Sequence, residues 1–182
     1  AQSQAARRAA GLDRTDILEQ ALDANVREAK RAGDILGRMR AYIAGGPSQI
    51  EAVALERALS EALRLAEPEL ARRGIALETV VSSGERLLRI DVIGFQQVIH
   101  NLLRNAADAL AGQGDARITI RAEAAGKQAV ITTADNGPGI SAAALPHIFE
   151  PFFTTKPDGM GLGLPLSARL VETMDGSGRQ IG

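Results

Sequence analysis

Asn101, Asn105 and Asp108 recur at i, i+4 and i+7 within the run 97–109, so a helix there carries all three on one face. Amide carbonyls and a carboxylate aligned in this way are hard oxygen donors. They suit a Mg2+ ion shared with substrate phosphates, because that ion takes few protein ligands. The plainer use of the same face is a polar stripe toward water. A second group, Asp135-Asn136-Gly137-Pro138-Gly139-Ile140, follows an alternating apolar run. Its Asp can accept a hydrogen bond from an amino group such as that of adenine, and Gly137 and Gly139 permit close backbone approach. Asn-Gly and Pro-Gly are also ordinary turn dipeptides. A third group, Gly159-Met160-Gly161-Leu162-Gly163-Leu164, opens a helical run, where unpaired backbone amides can meet phosphate. Between the second and third lies Ile148-Phe149-Glu150-Pro151-Phe152-Phe153-Thr154-Thr155-Lys156. Three of the chain's four Phe residues fall within five positions there. Such aromatics can anchor a loop from which Thr154, Thr155 and Lys156 donate to phosphates, or they can form a small apolar core beneath it.

The elements that must position these groups read as follows. Helical spacing runs through Leu55, Leu59, Leu63 and Leu70 up to Gly74. Ser48 and Glu51 fit a capping box before it, although Glu51-Ala52-Val53 equally fits a short strand. Runs at 75–81 and 87–92 read as strands, 95–110 as a helix with Val98, Leu102, Ala106 and Ala109 as its apolar face, and 117–122 with 128–133 as a hairpin. A loop-rich stretch at 135–161 precedes a last helix at 162–174. Upstream, Leu18, Leu22, Asn25, Ala29, Ala32, Leu36, Met39 and Ile43 keep a heptad seam. A helix over 15–44 would span ~45 Å, and its apolar edge calls for another helix or another chain. Residues 1–10 read as the tail of a preceding helix that leaves at Gly11, making a hairpin. Gly45-Gly46-Pro47-Ser48 ends the seam and marks a boundary between 1–46 and 47–182.

Composition narrows the classes. The 182 residues are 45% hydrophobic, enough for a core, and the net charge of -1 disfavours a nucleic-acid binder. No apolar run approaches the ~20 residues that cross a bilayer, so this segment is expected to make no membrane contact. The absence of Cys removes thiolate metal sites, disulfides and cysteine nucleophiles. No signal peptide opens the chain, and its first residue is Ala, which is expected of a fragment or processed form.

In succession, the segments NLLRNAADAL, DNGPGI, IFEPFFTTK and GMGLGL resemble the N box, first glycine box, F box and second glycine box of sensor histidine kinases. The resemblance covers roughly 51–182. It implies a Bergerat α/β sandwich, an α+β fold whose mixed, largely antiparallel sheet carries helices on one face. It also implies ATP and Mg2+ as cofactors, with Asn105 as the Mg2+ ligand and Asn101 and Asp108 in the same pocket. Asp135 would take the adenine amino group, with Gly137 and Gly139 making room for the base. Thr154, Thr155 and Lys156 would belong to a lid over the phosphates, and Gly159, Gly161, Leu162, Gly163 and Leu164 would present backbone to the phosphate chain. Residues 31–40 resemble the second helix of the family's dimerisation and phosphotransfer hairpin, and their wording is nearest to cytosolic, PAS-linked members. The resemblance implies a homodimer joined through 1–46, lying in the cytoplasm whether or not the parent protein is membrane-attached, that passes phosphate to a response-regulator receiver domain.

One comparison within the superfamily and two departures refine that expectation. Gyrase, heat-shock and mismatch-repair relatives carry a water-activating Glu four residues before the metal-binding Asn. Here that residue is Asn101, whose neutral amide cannot serve as a general base, so transfer to another nucleophile is expected in place of hydrolysis. Neither His100 nor His147 fits the family's phosphoacceptor, so no catalytic residue is assigned. The family usually adds two strands after its last helix, and a truncated sheet edge is expected here. Two other functions compete: a non-catalytic dimeric adaptor that docks response regulators, which degenerate nucleotide boxes would favour, and an anti-sigma-type serine kinase, which the hairpin-like helix disfavours.

Overall fold

The computed structural model describes residues 17–23, 25–26, 33, 49–82, 87–125, 128–156 and 159–174. The chain divides into two units, Ala1–Gly45 and Gly46–Gly182. In the first, the described residues are helical, and Ile17, Leu18, Leu22 and Val26 are exposed. Most of the heptad seam, from Ala29 through Ile43, lies outside the described residues, as does 1–10. Among the described residues, no helix is long and apolar enough to cross a membrane.

In the second unit the order is β1 (Ile50–Ala54), α1 (Leu55–Arg72), β2 (Ala76–Ser82), β3 (Leu87–Asp91), α2 (Val92–Ala109), β4 (Arg117–Ala125), β5 (Gln128–Asp135) and α3 (Gly163–Thr173). β1 pairs antiparallel with β3, from Ile50 opposite Asp91 to Ala54 opposite Leu87. This resolves the open choice at 51–53 as a strand, and α1 starts without a side-chain cap. β4 is the middle of a mixed sheet, parallel to β2 on one side and antiparallel to β5 on the other. The mixed sheet and its covering helices are the expected Bergerat arrangement.

One apolar layer joins helices to sheet. α1 contributes Leu55, Leu59, Leu63 and Leu70 with Ala58, Ala62 and Ala66, whose small size lets α2 pack close. β4 contributes Ile118, Ile120 and Ala122, all without exposure, alternating with outward-facing polar residues. Truncating one of the fully buried Leu residues would cost about 2–5 kcal/mol. The expected apolar face of α2 is corrected in part. The core takes Phe95, Ile99, Leu103, Ala106, Ala107 and Leu110, whereas Leu102 is half-buried and Ala109 exposed. Val98 is buried, but outside this core cluster. α2 is covered on two sides, by α1 and the sheet and by α3, so it has no single stripe.

The helix ends follow from local chemistry. Asp91 closes β3 and caps α2, its Oδ1 accepting from the amides of Ile93 at 3.1 Å and Gly94 at 3.3 Å. α1 stops at Gly74, where a positive φ of 68° lets Ile75 N donate back to Leu70 O at 3.0 Å.

Candidate functional site

The C-terminal half of α2 reaches three separate loop segments through three neighbouring residues. Asn105 lies under the start of α3, its Nδ2 3.9 Å from where a Cβ on Gly163 would stand. Asp108 holds Lys156, whose Nζ donates to Oδ2 at 2.9 Å. Ala109 backs the first glycine box, its Cβ and carbonyl each 3.5 Å from where a Cβ on Gly137 would stand. A single rigid helix therefore gathers Asn105, Asp108, Asp135, Gly137, Lys156 and Gly163.

Asn101 is placed differently from its neighbours on that face. It is 8% exposed, and its Nδ2 donates to Ser167 Oγ at 3.3 Å and Gly163 O at 3.5 Å. Ser167 Oγ in turn donates to Gly163 O at 2.9 Å. Asn101 thus ties α2 to the first turn of α3. The Asn105 side chain is half-buried and has no hydrogen-bond partner among the described residues, so its carbonyl keeps its acceptor capacity.

Asp108 is the electrostatic centre. Arg73, just past α1, donates from Nη1 to its Oδ1 at 3.1 Å, and from Nε to Glu69 Oε1 at 2.7 Å. Arg72 also pairs with Glu69. Burial acts to raise the Asp108 pKa, but the hydrogen bonds and charges of Lys156 and Arg73 outweigh it and hold the carboxyl below its ordinary value. The hydrogen bonds that Arg73 donates to Glu69 and Asp108 push its pKa up. Arg73 and Glu69 were not singled out in the sequence. Their i, i+4 spacing at a helix end was the available signal.

Asp135, at the exposed end of β5, accepts from Gly137 N through Oδ1 at 2.9 Å. Asn136 acts as a clamp. Its Nδ2 donates to Asp115 O at 2.6 Å, and its Oδ1 accepts from Arg117 N at 2.8 Å. Gly139 follows with a φ of 74° and is exposed.

The aromatic segment and the second glycine box pack on each other. Phe152 N donates to Gly161 O at 2.9 Å. Gly161 has a φ of 64°, and a Cβ there would collide with the Phe153 carbonyl, so both conformation and space require glycine. Gly159 sits against Thr154 Oγ1, which also accepts from Lys156 N at 3.1 Å. Thr155 is exposed. Phe152 itself holds a φ of 68°, a strained conformation for a bulky residue. Leu162 is buried, Leu164 half-buried, and α3 begins with no side-chain cap, so its first amides retain donor capacity beside Asn105.

His147 pairs with Glu150 at 2.9 Å and lies 5.4 Å from the Phe153 ring, while His100 is exposed on α2. Among the described residues, no group of three or more His, Cys, Asp or Glu could hold a metal. The donor chemistry instead fits Mg2+ held by one amide oxygen together with phosphate oxygens.

This sandwich is that of histidine kinase catalytic domains. The structure matches the nucleotide-free catalytic domain of histidine kinase ThkA with a TM-score of 0.63 at 26% identity, over 69% of this chain and 82% of that one. It matches full-length ShkA in complex with AMPPNP at 0.67 and 28% identity, over 80% of this chain and 31% of that one. Sensor protein FixL of Bradyrhizobium diazoefficiens is 33% identical over 163 residues, 89% of this chain and 32% of FixL. The chain thus spans about a third of that relative's length. Residues 90–180, half of the chain, match the family of histidine kinase-, DNA gyrase B- and HSP90-like ATPases, and the chain belongs to that family. Its kin among sensor proteins make it a histidine kinase ATPase catalytic domain.

Proposed function

We propose that this chain binds ATP with Mg2+ and presents the γ-phosphoryl to a histidine that it does not itself carry, from which phosphate passes to an Asp of a response-regulator receiver domain. The observation that carries this reading is the meeting of Asn105 with Gly163 beneath an uncapped helix start. An acceptor oxygen for a cation and a set of free amide donors for phosphate are thereby side by side.

Each residue has work in this reading. Asp135 accepts from the purine amino group, and Gly137 and Gly139 leave room for the base. Asn105 takes the cation through its amide oxygen. The amides around Gly161, Leu162, Gly163 and Leu164 receive phosphate oxygens at the positive end of α3. Gly159, Thr154 and Thr155 line the phosphate side. Lys156, held by Asp108, stands as a cation that phosphate can recruit. Asn105 would hold Mg2+, which would offset the negative charge of the phosphates. At the position where the hydrolytic relatives carry their water-activating Glu, Asn101 is neutral and is committed to Ser167. Transfer rather than hydrolysis follows, with catalysis from positioning and charge.

In the whole protein, residues 1–46 would be part of the dimerisation and phosphotransfer hairpin and 47–182 the nucleotide-binding portion, working as a cytoplasmic homodimer. The test is calorimetric binding of AMPPNP with and without Mg2+, for the chain and for Asn105→Ala and Asp135→Ala. The reading expects binding that Asp135→Ala abolishes and a Mg2+ enhancement that Asn105→Ala removes. Equal affinity for all three proteins overturns it. Acid-labile phosphate in a longer chain that includes an acceptor His tests the transfer step.

A further inference from the structure

One face of β5 carries Ala129, Ile131, Thr133 and Asp135 in alternation, half-buried through Thr133 and exposed at Asp135. Ile131 stands opposite Ala122, Thr133 opposite Ile120 and Asp135 opposite Ile118, three β4 residues without exposure. Ala129 and Ile131 pack on the core. Thr133 therefore sits at the seam between the apolar core and the proposed base-binding carboxylate. Its Oγ1 is buried and, among the described residues, is the one buried side-chain polar atom with no hydrogen-bond partner. A buried orphan hydroxyl is destabilising, and a Val of the same shape would avoid it. In a core position that choice is unfavourable, whereas beside a binding group it supplies a donor and an acceptor.

The geometry of the neighbours says what the hydroxyl can act on. Residues i and i+2 of a strand lie about 6.6 Å apart on the same face. Two hydrogen bonds of about 2.8 Å through one shared atom cover much of that gap. Asp135 Oδ1 is already occupied by Gly137 N, which leaves Oδ2 without an equivalent tether in its own loop.

We propose that Thr133 is a positioning residue of the nucleobase site, its hydroxyl orienting the Asp135 carboxylate through one shared hydrogen-bonding atom. The inference rests on the nucleotide reading above and extends it to a residue outside the glycine boxes. It assigns Thr133 a part in adenine selectivity, because a carboxylate held in place discriminates a 6-amino from a 6-oxo purine.

The experiment compares ADP and IDP affinity and the unligated thermal midpoint for the wild-type chain, Thr133→Val, Thr133→Ser and Asp135→Ala. Thr133→Val is expected to bind ADP roughly three- to tenfold more weakly and to lose part of the ADP-over-IDP preference, with a midpoint at or above wild type. Thr133→Ser, which keeps the hydroxyl, is expected to bind ADP as wild type does. Wild-type affinity and preference in Thr133→Val, alongside lost binding in Asp135→Ala, overturn the Thr133 inference alone. Equal weakening by Val and Ser also overturns it, because the methyl rather than the hydroxyl is then at work. No ADP binding by wild type, or undiminished binding by Asp135→Ala, overturns the nucleotide reading and this inference with it.

Discussion

Lys156 Nζ lies 2.9 Å from Asp108 Oδ2, a charged contact between the aromatic segment and the middle helix. Both side chains are partly exposed, so the pair contributes modestly, on the order of 1 kcal/mol. Its pH dependence is distinctive. Asp108 has a folded pKa below its ordinary value, since Lys156 and Arg73 outweigh the effect of burial. The associated stability is complete above the unfolded pKa, near 4, and is lost as pH falls through the lower folded value. Thermal melts from pH 6 to pH 2.5 should show wild type losing more stability than Asp108→Asn on the acid side. Glu69 is shifted in the same direction by Arg73, and it remains in both proteins. The difference between the two curves therefore reports Asp108. Parallel curves would deny the carboxylate this role.

Asn101 and Asn105 are one helical turn apart and should fail in different ways. Asn101→Ala removes the donor to Ser167 and Gly163 from a buried contact, at a cost of about 1–3 kcal/mol. Asn105→Ala breaks no hydrogen bond of the described residues and should shift stability by no more than about 0.5 kcal/mol. Chemical denaturation separates the two. AMPPNP titration should show the reverse order for the Mg2+-dependent part of binding, with Asn105→Ala losing it.

Asn101→Glu is the informative companion. The family's hydrolytic branch places Glu at this spacing, but here the side chain would be buried beside the Gly163 carbonyl. An unpaired carboxylate in that position should cost several kcal/mol. The expected outcome is a destabilised protein without a gain in ATP hydrolysis, measured by phosphate release. A stable and faster hydrolase would show that the residue can swing toward the phosphates.

Gly161→Ala should lower the thermal midpoint and weaken nucleotide binding together. The backbone there has a φ of 64°, and the new methyl would meet the Phe153 carbonyl. The conformational part alone costs about 1–3 kcal/mol. Because Phe152 N bonds to Gly161 O, the strain should spread to the aromatic segment and appear as faster proteolysis near Phe152.

The elements were legible where period and punctuation agree. Leu55 through Leu70 repeat at helical spacing up to Gly74, and the alternation of 117–122 with 128–133 gave a hairpin whose strands run to Ala125 and Asp135. Also legible were the segments whose residues α2 gathers: Asn105, Asp108, Asp135, Gly137, Lys156 and Gly163 all fall within them. The burial of Asn101 was not. A polar residue on a helix reads as facing water, and only the packing of α3 reveals a buried amide with a hydroxyl partner. For the same reason the core face of α2 was assigned partly to Leu102 and Ala109 rather than to Phe95, Ile99 and Leu103. The i, i+4 pair of Arg73 with Glu69 was a local signal, but its contact with Asp108, 35 residues away, lies beyond any local pattern.

Asn136 carries a last prediction, because the sequence reads it as a turn residue and the structure makes it a clamp. Its amide donates to Asp115 O at 2.6 Å while its carbonyl accepts from Arg117 N at 2.8 Å. Asn136→Ala loses both and should cost about 1–2 kcal/mol, and it should also loosen Asp135 and weaken nucleotide binding. Asn136→Asp keeps the acceptor, but at neutral pH it sets a carboxylate against the Asp115 carbonyl. That contact should raise the folded pKa of the new Asp above its unfolded value. A protonated carboxyl can donate to Asp115 O, so the stability it recovers is present below the unfolded pKa and lost as pH rises through the folded one. The gap between Asn136→Asp and wild type should therefore narrow as pH falls through that folded value and be smallest by about pH 4, while the gap for Asn136→Ala stays constant. Melting curves of the three proteins across pH 3–7 decide it, and gaps that do not change with pH would mean that Asn136 holds the strand end by its shape alone.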